Sequence, residues 1–321
     1  MKLRHFGLLP LLLVTSACHL VGPSAREAAV APAGSSPFEL VVLGVAQDGG
    51  LPHVGCQKPC CIEARRAGRT LGPACLAILD RESGRSVLLE ATPAIESQLA
   101  LFRAATGTEE APRHPVDAVL ITHAHIGHYT GLIHFGREVA STRAIPVHVT
   151  ARMAEFLRTN GPWSQLVALD QIRPTVLRPG ATFSPIDGIT VTAIEVPHRD
   201  EFSDTVAFRV SGPERTILFC PDIDRYEGDI LERLLDGVDV AYLDATFYDG
   251  RKLPGRNLDE IPHPPMVVSM DLLQERVRER PGSVRFIHLN HTNPALHDEE
   301  IRASIEARGF RVAEQGERIG L

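Results

Sequence analysis

The sequence is poor in aromatic residues and has no long run of positive charge. Phe, Trp and Tyr make up 5% of its 321 residues, and acidic and basic side chains are interspersed, with a formal net charge of −7 at pH 7. Nucleic-acid-binding domains cluster Lys and Arg on one face, and many add aromatic side chains on which bases stack. The composition therefore argues against nucleic acid as a partner and favours a small-molecule substrate.

The N-terminus also lacks an apolar segment long enough to cross a bilayer. Its apolar stretch, residues 6–14, is shorter than the ~20 residues that a membrane-spanning helix needs. Lys2 and Arg4 precede this stretch, and small residues follow it up to Cys18, which is the layout of a bacterial export signal. We therefore predict an exported protein.

The residues before Cys18 resemble a lipoprotein signal, in which the cysteine is lipidated after cleavage. Residues 1–17 are then the signal peptide and Cys18 is the first mature residue; an ordinary cleaved signal is the alternative. Because His19 rather than an aspartate follows the cysteine, the resemblance implies a periplasmic protein anchored to the outer membrane. Residues 18–37 are rich in Ala, Pro, Ser and Gly, and we expect a flexible tether there.

Residues 38–321 alternate short β-type runs with helical patterns. Strands are predicted at 38–45, 76–80, 86–91, 117–122, 190–196, 205–210, 216–220, 238–245, 284–289 and 311–314. Helices are predicted at 94–103, 131–140, 151–159, 228–236, 266–279 and 297–308. No second linker or repeat interrupts this order, and three of the strands suggest antiparallel hairpins. We therefore predict one α/β (α+β) domain in which two mixed sheets pack face to face with helices outside.

Three histidines follow one apolar strand within six residues. The strand at 117–122 leads into His123-Ala-His125-Ile-Gly127-His128. Neutral imidazole is a good ligand for zinc or iron, and ligands on a rigid strand end need little further ordering to form a site. Solvated loop histidines are the alternative, but the close spacing favours a metal site.

Further candidate ligands lie where other predicted strands end. His198, Asp222 and His291 come at or just after the ends of three strands. Side chains from several strand ends can converge at one edge of a sandwich. The sequence therefore predicts a metal centre at this edge.

The order H-x-H-x-x-H, then His, Asp and His, over residues 123–291 resembles the metallo-β-lactamase superfamily. The opening LGVAQDGGLPHVGC and the closing IHLNHTNP are similar, more narrowly, to coenzyme PQQ synthesis protein B (PqqB) and PhnP-like phosphodiesterases. The resemblance implies a four-layer αββα sandwich over residues 38–321, with Zn²⁺ as the metal and Fe or Mn as alternatives. It also implies the ligands: His123, His125 and His198 for one ion, His128 and His291 for a second, and Asp222 as the bridge.

One position departs from the superfamily pattern. Gly127 stands where the superfamily has an aspartate that binds the second metal and orients the water. Either a nearby acid, Asp48, Asp204 or Asp224, replaces it, or the protein works with one metal. We expect one strong site and a second site that is weak or empty.

A cysteine cluster suggests a second kind of metal site. Cys56, Cys60 and Cys61 resemble, with altered spacing, the cysteines that bind a structural zinc in the PqqB and PhnP group, with Cys75 or His53 as the fourth ligand. Thiolates suit a closed tetrahedral zinc site. Disulfides, which an oxidising periplasm permits, are the alternative.

Other polar residues are assigned by their place beside the ligands. Asp222 and His263 are the candidate catalytic residues, and the resemblance gives His263 the role of proton donor to the leaving group. Residues that contact substrate or orient a ligand are predicted to be Asp48, Glu90, Arg199 and Asp244. We interpret His134 and His288 as structural, and Trp163 as a packed aromatic or a wall of the pocket.

The predicted function is a metal-dependent hydrolase. A metal-bound hydroxide would attack an ester, lactone, amide or phosphodiester bond, because bound Zn²⁺ lowers the pKa of water to about 7. The resemblance to PqqB implies an alternative, a non-haem-iron oxygenase or another role in PQQ biosynthesis, against which the export signal argues. A non-catalytic metal-binding lipoprotein is the second alternative.

Overall fold

The computed structural model describes residues 36–109, 111–249 and 262–321. The predicted signal peptide and nearly all of the predicted tether lie outside these residues. The first strand begins at Phe38, and the Oγ of Ser36 donates a hydrogen bond to the carbonyl of Leu321, the last residue. The start and the end of the described chain therefore lie side by side.

Two seven-stranded sheets form the centre of the structure. The first contains β1 (Phe38–Gly44), β2 (Cys75–Asp80), β3 (Ser86–Leu89), β4 (Ala118–Leu120), β5 (Ile145–Val149), β6 (Ile172–Val176) and β14 (Arg318–Gly320), in the order β14-β1-β2-β3-β4-β5-β6. The second contains β7 (Thr182–Phe183), β8 (Thr190–Glu195), β9 (Val206–Ser211), β10 (Thr216–Cys220), β11 (Val240–Asp244), β12 (Val284–Ile287) and β13 (Arg311–Val312), in the order β13-β12-β11-β10-β9-β8-β7. Both sheets mix parallel and antiparallel pairs, and β8, β9 and β10 are the predicted antiparallel hairpins.

Helices cover the outer faces of both sheets. The α-helices are α1 (Pro59–Ala67), α2 (Ile95–Thr106), α3 (Ile126–Tyr129), α4 (Ala151–Thr159), α5 (Trp163–Ala168), α6 (Ile230–Leu235), α7 (Met266–Leu272), α8 (Gln274–Glu279) and α9 (Glu299–Ala307). Among the described residues, 3-10 helices span Thr130–Phe135 and Pro294–Leu296. Within the described ranges, no helix has the length and apolarity that crossing a membrane requires.

Three apolar cores hold these layers together. Leu40, Phe208 and Tyr242 belong to the core between the two sheets, which draws side chains from both. A second core joins the outer face of the first sheet to α2, α4 and α5, and a third joins the outer face of the second sheet to α6, α7, α8 and α9. Burial of apolar surface is the main stabilising contribution to folding, so each layer is fixed by the one it covers. The predicted αββα sandwich is confirmed.

The segment after the histidine motif differs from its prediction. Instead of one helix at 131–140, the chain forms α3 and then the 3-10 helix Thr130–Phe135. The backbone N–H of Gly131 donates to the carbonyl of Ala91, outside the helix, at 2.8 Å. A Cβ on Gly131 would lie 2.1 Å from the carbonyl oxygen of Thr92. The contact with the end of β3 therefore replaces regular helix geometry here.

Several short elements carry weak sequence signals. The helix predicted at 266–279 is two helices separated by Leu273. The elements α1, α5, β5, β6, β7 and β14 have no counterpart in the prediction. Pro174 lies inside β6 and argues against a strand, but β6 is at the edge of its sheet, where the missing N–H is tolerated.

Candidate metal centre

Strand ends of both sheets deliver imidazole and carboxylate groups to one edge of the sandwich. His123 follows β4, His198 follows β8, Asp222 follows β10 and His288 follows β12, while His128 lies in α3. All five side chains are buried. Buried polar groups of this kind are stable only when they are paired or bind a metal.

The first group of ligand atoms is the predicted triad. The Nε2 of His123 lies 2.8 Å from the Nδ1 of His125, and the Nε2 of His198 lies 3.2 Å from the same Nδ1. The three nitrogens lie within 4.8 Å of one another, a spacing at which one ion can contact all of them. The convergence predicted for these three residues is therefore present.

Each ring of this triad is held through its other nitrogen. The Nδ1 of His123 contacts the hydroxyl of Thr122 at 2.8 Å, the Nε2 of His125 contacts a carboxylate oxygen of Glu201 at 2.9 Å, and the Nδ1 of His198 contacts one of Asp224 at 2.8 Å. Such contacts fix the ring orientation and tautomer of metal-binding histidines. Asp224 was considered from the sequence only as a replacement for the missing aspartate, whereas in the structure its carboxylate contacts His198.

Burial keeps two of the rings neutral. Burial lowers the pKa of His123 well below its usual value, and burial also lowers the pKa of His198. A neutral imidazole has the free lone pair that a metal needs. The electrostatics of the triad therefore suit metal binding.

A second group lies beside the first. The Nε2 of His128 is 3.3 Å from the Oδ1 of Asp48, and the Nε2 of His288 is 3.7 Å from the same oxygen. The Nε2 of His288 is buried and makes no hydrogen bond with any described residue. Asp48, His128 and His288 offer ligand atoms within 4.8 Å of one another, so this arrangement also fits an ion.

Asp222 lies between the two groups. Its Oδ2 is 2.9 Å from the Nε2 of His128, 3.4 Å from that of His288 and 3.9 Å from that of His123. Its Oδ1 is 3.8 Å from the Nε2 of His198. Burial alone would raise the pKa of Asp222, but the surrounding imidazoles outweigh burial and hold it well below the usual value. An ionised carboxylate in this position can bridge two cations.

The prediction for two histidines near the C-terminus was wrong. His288, interpreted as structural, lies in the second group, whereas His291, predicted as a ligand there, lies with Cys56 and Cys61. The backbone turns at His288, where φ is 60°, directly after β12. The three residues between the two histidines carry His291 to a different site.

The position of Gly127 is filled by another residue. A Cβ on Gly127 would lie 2.1 Å from the Oδ1 of Asp48. The other two predicted replacements are engaged elsewhere, since Asp204 contacts Arg152 at 3.2 Å and Asp224 contacts His198. Of the three acids considered from the sequence, Asp48 is the one beside His128.

The cysteine cluster is only partly as predicted. The thiols of Cys56 and Cys61 lie within 4.8 Å of a ring nitrogen of His291, and the ring of His53 packs on that of His291 at 4.6 Å. The Sγ of Cys60 is 4.0 Å from that of Cys61. Cys75 is buried in β2, where its thiol contacts the carbonyl of Glu90, so its prediction as a ligand of this site was wrong. None of the five described cysteines forms a disulfide.

His263 and Asp244 form a buried pair at the same edge. The Nδ1 of His263 is 2.6 Å from the Oδ2 of Asp244 and 3.4 Å from the Oδ1 of Asp222. Burial lowers the pKa of His263, but Asp244 and Asp222 outweigh it and raise the pKa to about 9. Asp244 also accepts hydrogen bonds from the backbone N–H groups of Ile223 and Thr246. The pair therefore orients both His263 and the segment that carries Asp222.

The remaining predicted residues surround the site. Glu90 is fully buried, with one carboxylate oxygen 3.5 Å from the Nδ1 of His128. Arg199 is exposed, and its charge opposes protonation of His263. Trp163 is half-buried and packs against Tyr129 at 4.8 Å, which supports the packed aromatic interpretation.

Three residues of this edge have a strained backbone. Glu90, His263 and His288 have φ values of 76°, 84° and 60°, a region that costs of order 1–3 kcal/mol for residues with a side chain. Such conformations persist only where the surrounding structure enforces them, and they concentrate at functional sites.

A cavity of about 920 Å³ borders the second group of ligands. Asp48 and Ile126 are part of its wall, and the rest is largely apolar, including Leu43, Leu71 and Leu101. Neither Lys nor Arg is among its described lining residues. The cavity is thus suited to an uncharged, partly apolar molecule.

The sequence and fold both match known proteins. The family model described as beta-lactamase superfamily domain matches residues 85–288. Coenzyme PQQ synthesis protein B from Methylobacterium nodulans is 26% identical over 306 residues, covering 87% of this chain and 98% of the relative. The same protein from Ruegeria pomeroyi is 28% identical over 310 residues, covering 88% and 100%.

The fold is shared with solved structures. Zn²⁺-bound PqqB from Methylobacterium extorquens has a TM-score of 0.74 at 24% identity, covering 88% of this chain and all of that one. A diphosphatase from the PhnP family has a TM-score of 0.64 at 17% identity, covering 88% and 96%. The chain belongs to the metallo-β-lactamase superfamily. It is similar to PqqB in sequence and fold, and to the PhnP-family diphosphatase in fold.

Proposed function

We propose that this protein is a metal-dependent hydrolase. The observation that carries the proposal is the position of Asp222 between two groups of ligand atoms, each of which converges from several strand ends. Imidazole nitrogens with carboxylate oxygens are donors typical of zinc, iron and manganese sites, and zinc is the metal we favour.

The residues of this site divide into those that would hold the metal and one that can pass a proton. When bound, Zn²⁺ would lower the pKa of water to about 7 and polarise a carbonyl or phosphoryl oxygen. His123, His125 and His198 would hold the metal, and Asp222 would orient the water. His263 donates from Nδ1 to Asp244, which leaves Nε2 as the atom from which a proton can pass to the leaving group.

The cavity beside the site supports a choice among substrates. An apolar wall without described cationic side chains argues against a phosphodiester, because phosphate groups are usually bound by Arg or Lys. Among uncharged substrates, an ester or lactone is favoured over an amide, because an alkoxide is a better leaving group than an amide nitrogen. We therefore propose an uncharged ester or lactone as the substrate class, and the apolar cavity as the place where its apolar part binds.

Chromogenic substrates test this function. Zinc-loaded protein is assayed with p-nitrophenyl esters, a lactone, a β-lactam and bis-p-nitrophenyl phosphate. We expect turnover of an ester or lactone, its loss to background in His123→Ala, and its retention in His134→Ala, which changes a histidine outside the site. Circular dichroism would show that both variants fold. An inactive zinc-loaded protein, or an active His123→Ala variant without metal, would contradict the proposal.

A second candidate rests on the sequence relatives. Their name, coenzyme PQQ synthesis protein B, supports a role in making that cofactor. Iron-dependent oxygenation is the reaction that the sequence resemblance to PqqB implies for such a role. Metal analysis of the protein as isolated, followed by oxygen-uptake measurements, separates the two functions. Stoichiometric iron and oxygen consumption would favour the second candidate, whereas zinc and hydrolysis would favour the first.

A further inference from the structure

We propose that Asp48 is a ligand of the second metal ion and replaces the carboxylate that is absent at Gly127, so that the centre binds two ions rather than one. This inference rests on the metal-dependent function proposed above. It revises the expectation of a weak or empty second site and identifies the residue that completes it.

The two positions exclude each other sterically. A Cβ on Gly127 would lie 2.1 Å from the Oδ1 of Asp48 and 2.6 Å from its Cα. Real Cβ atoms do not approach other heavy atoms so closely. Because residue 127 is glycine, the carboxylate of Asp48 can occupy this space from the loop after β1. Asp48 therefore compensates for the aspartate that the superfamily has at position 127.

The Asp48 carboxylate points at the second group of ligands. Its Oδ1 is within 3.3 Å of His128 and 3.7 Å of His288. Without Asp48, this group would offer two imidazoles and a share of Asp222. With Asp48, it offers two imidazoles and two carboxylates, the number of donors that a four-coordinate site needs.

The loop that carries Asp48 is fixed to the segment that carries His288. The backbone N–H of Gln47 donates to the carbonyl of Leu289 at 2.9 Å, and the side chain of Asn290 donates to that of Gln47 at 2.7 Å. The N–H of Gly50 closes the turn on the carbonyl of Gln47 at 2.8 Å. Asp48 and His288 are therefore positioned together, which lowers the entropy cost of binding an ion between them.

Metal counting tests the proposal without an activity assay. The wild type and the variants Asp48→Asn, His128→Ala and Asp204→Asn are loaded with zinc and dialysed, and bound zinc is measured by mass spectrometry and titration calorimetry. Asp48→Asn keeps the shape of the side chain and removes its charge. Asp204→Asn is the matched control, because Asp204 contacts Arg152 rather than the second group of ligands.

We expect Asp48→Asn and His128→Ala each to bind one zinc fewer than wild type, or to bind it at least ~100-fold more weakly. Asp204→Asn should bind as much as wild type. Gly127→Ala, which removes no donor atom, should lose the same ion because its Cβ displaces Asp48. Equal thermal midpoints of the metal-free wild type and Asp48→Asn would show that the loss is not misfolding.

Two results would overturn the proposal, and they differ from failure of the proposed function. The first is an Asp48→Asn variant that binds as much zinc as the wild type. The second is a His128→Ala variant that binds as much zinc as the wild type. Either result would exclude Asp48 as a ligand of a second ion, while the first site and hydrolysis stand. If His123→Ala also bound as much zinc as the wild type, both proposals would be overturned.

Discussion

Single residues decide which site a histidine serves. His288 and His291 are three residues apart, yet one faces Asp222 and the other faces Cys56 and Cys61. His288 has a buried ring nitrogen without a hydrogen-bond partner among the described residues, which an ion would satisfy, whereas His291 lies among thiols. We propose that Cys56, Cys61 and His291 hold a structural zinc, with Cys60 or His53 as the fourth ligand.

Substitution of His291 tests the structural zinc. His291→Ala should lose one equivalent of zinc and lower the thermal midpoint, because metal that binds only the folded state stabilises it. Zinc content and thermal unfolding, each with and without EDTA, measure the two effects. His134→Ala, which changes a histidine in the 3-10 helix Thr130–Phe135, serves as the control and should keep its zinc. A His291→Ala variant with full zinc content would exclude His291 as a ligand.

The element that follows the histidine motif depends on one close contact. Gly131 packs against the carbonyls of Ala91 and Thr92, just after the end of β3, which fixes α3 and its His128 relative to the first sheet. The segment cannot move away from the sheet without losing this contact.

Substitution of Gly131 tests this contact. Gly131→Ala should lower the free energy of unfolding by about 2–3 kcal/mol, because the added methyl overpacks a buried site. Urea denaturation measures the change. Ile133→Ala, at an exposed position of the same 3-10 helix, should change stability by no more than about 0.5 kcal/mol. Equal effects of the two substitutions would show that the close packing is unimportant.

The contact between β5 and β7 links the two sheets and should respond to pH. The ring of His148 in β5 stacks on Phe183 in β7 with centroids 4.8 Å apart, and burial lowers the pKa of His148 to about 4. The unfolded chain, with a histidine pKa near 6.5, therefore binds the proton more readily. The contribution of His148 to the free energy of unfolding is therefore complete above pH 6.5, and it declines as the pH falls towards 4.

Comparison with a phenylalanine variant isolates this dependence. Between pH 7 and pH 4.5 the wild type should lose about 1–2 kcal/mol more stability than His148→Phe, allowing for the partial exposure of the ring. Urea denaturation of both proteins at several pH values measures the difference, in which contributions common to both cancel. Parallel pH profiles would show that His148 does not titrate in this way.

At the scale of the whole molecule, the sandwich brings together residues from 48 to 288 at one edge. The signal peptide and tether predicted before it fall outside the described residues, and attachment of this domain to the outer membrane through Cys18 is a proposal from the sequence. An anchored enzyme of this kind would act on substrates within the periplasm.

Lipidation is open to a direct test in cells. The full-length protein, expressed in a Gram-negative bacterium supplied with a labelled fatty acid, should carry the label and sediment with the outer membrane. Cys18→Ser should lose both properties, while Cys220→Ser, which changes a buried cysteine of β10, should keep them. A labelled Cys18→Ser variant, or an unlabelled wild type in the soluble periplasmic fraction, would contradict the lipoprotein prediction.

The sequence predicted two mixed sheets with helices outside, because alternating strand and helix patterns are local, and it predicted that histidines at strand ends converge at one edge. The grouping of His123, His125 and His198 as one set of ligands came from the resemblance to the metallo-β-lactamase superfamily. The sequence by itself determined much less about residues whose roles depend on distant packing. The roles of His288 and His291 followed from a backbone turn after β12, and that of Cys75 from its burial in β2. The place of Asp48 beside Gly127 required the loop after β1 to be fixed to the segment after β12, and only the tertiary structure brings segments so far apart in the chain into contact.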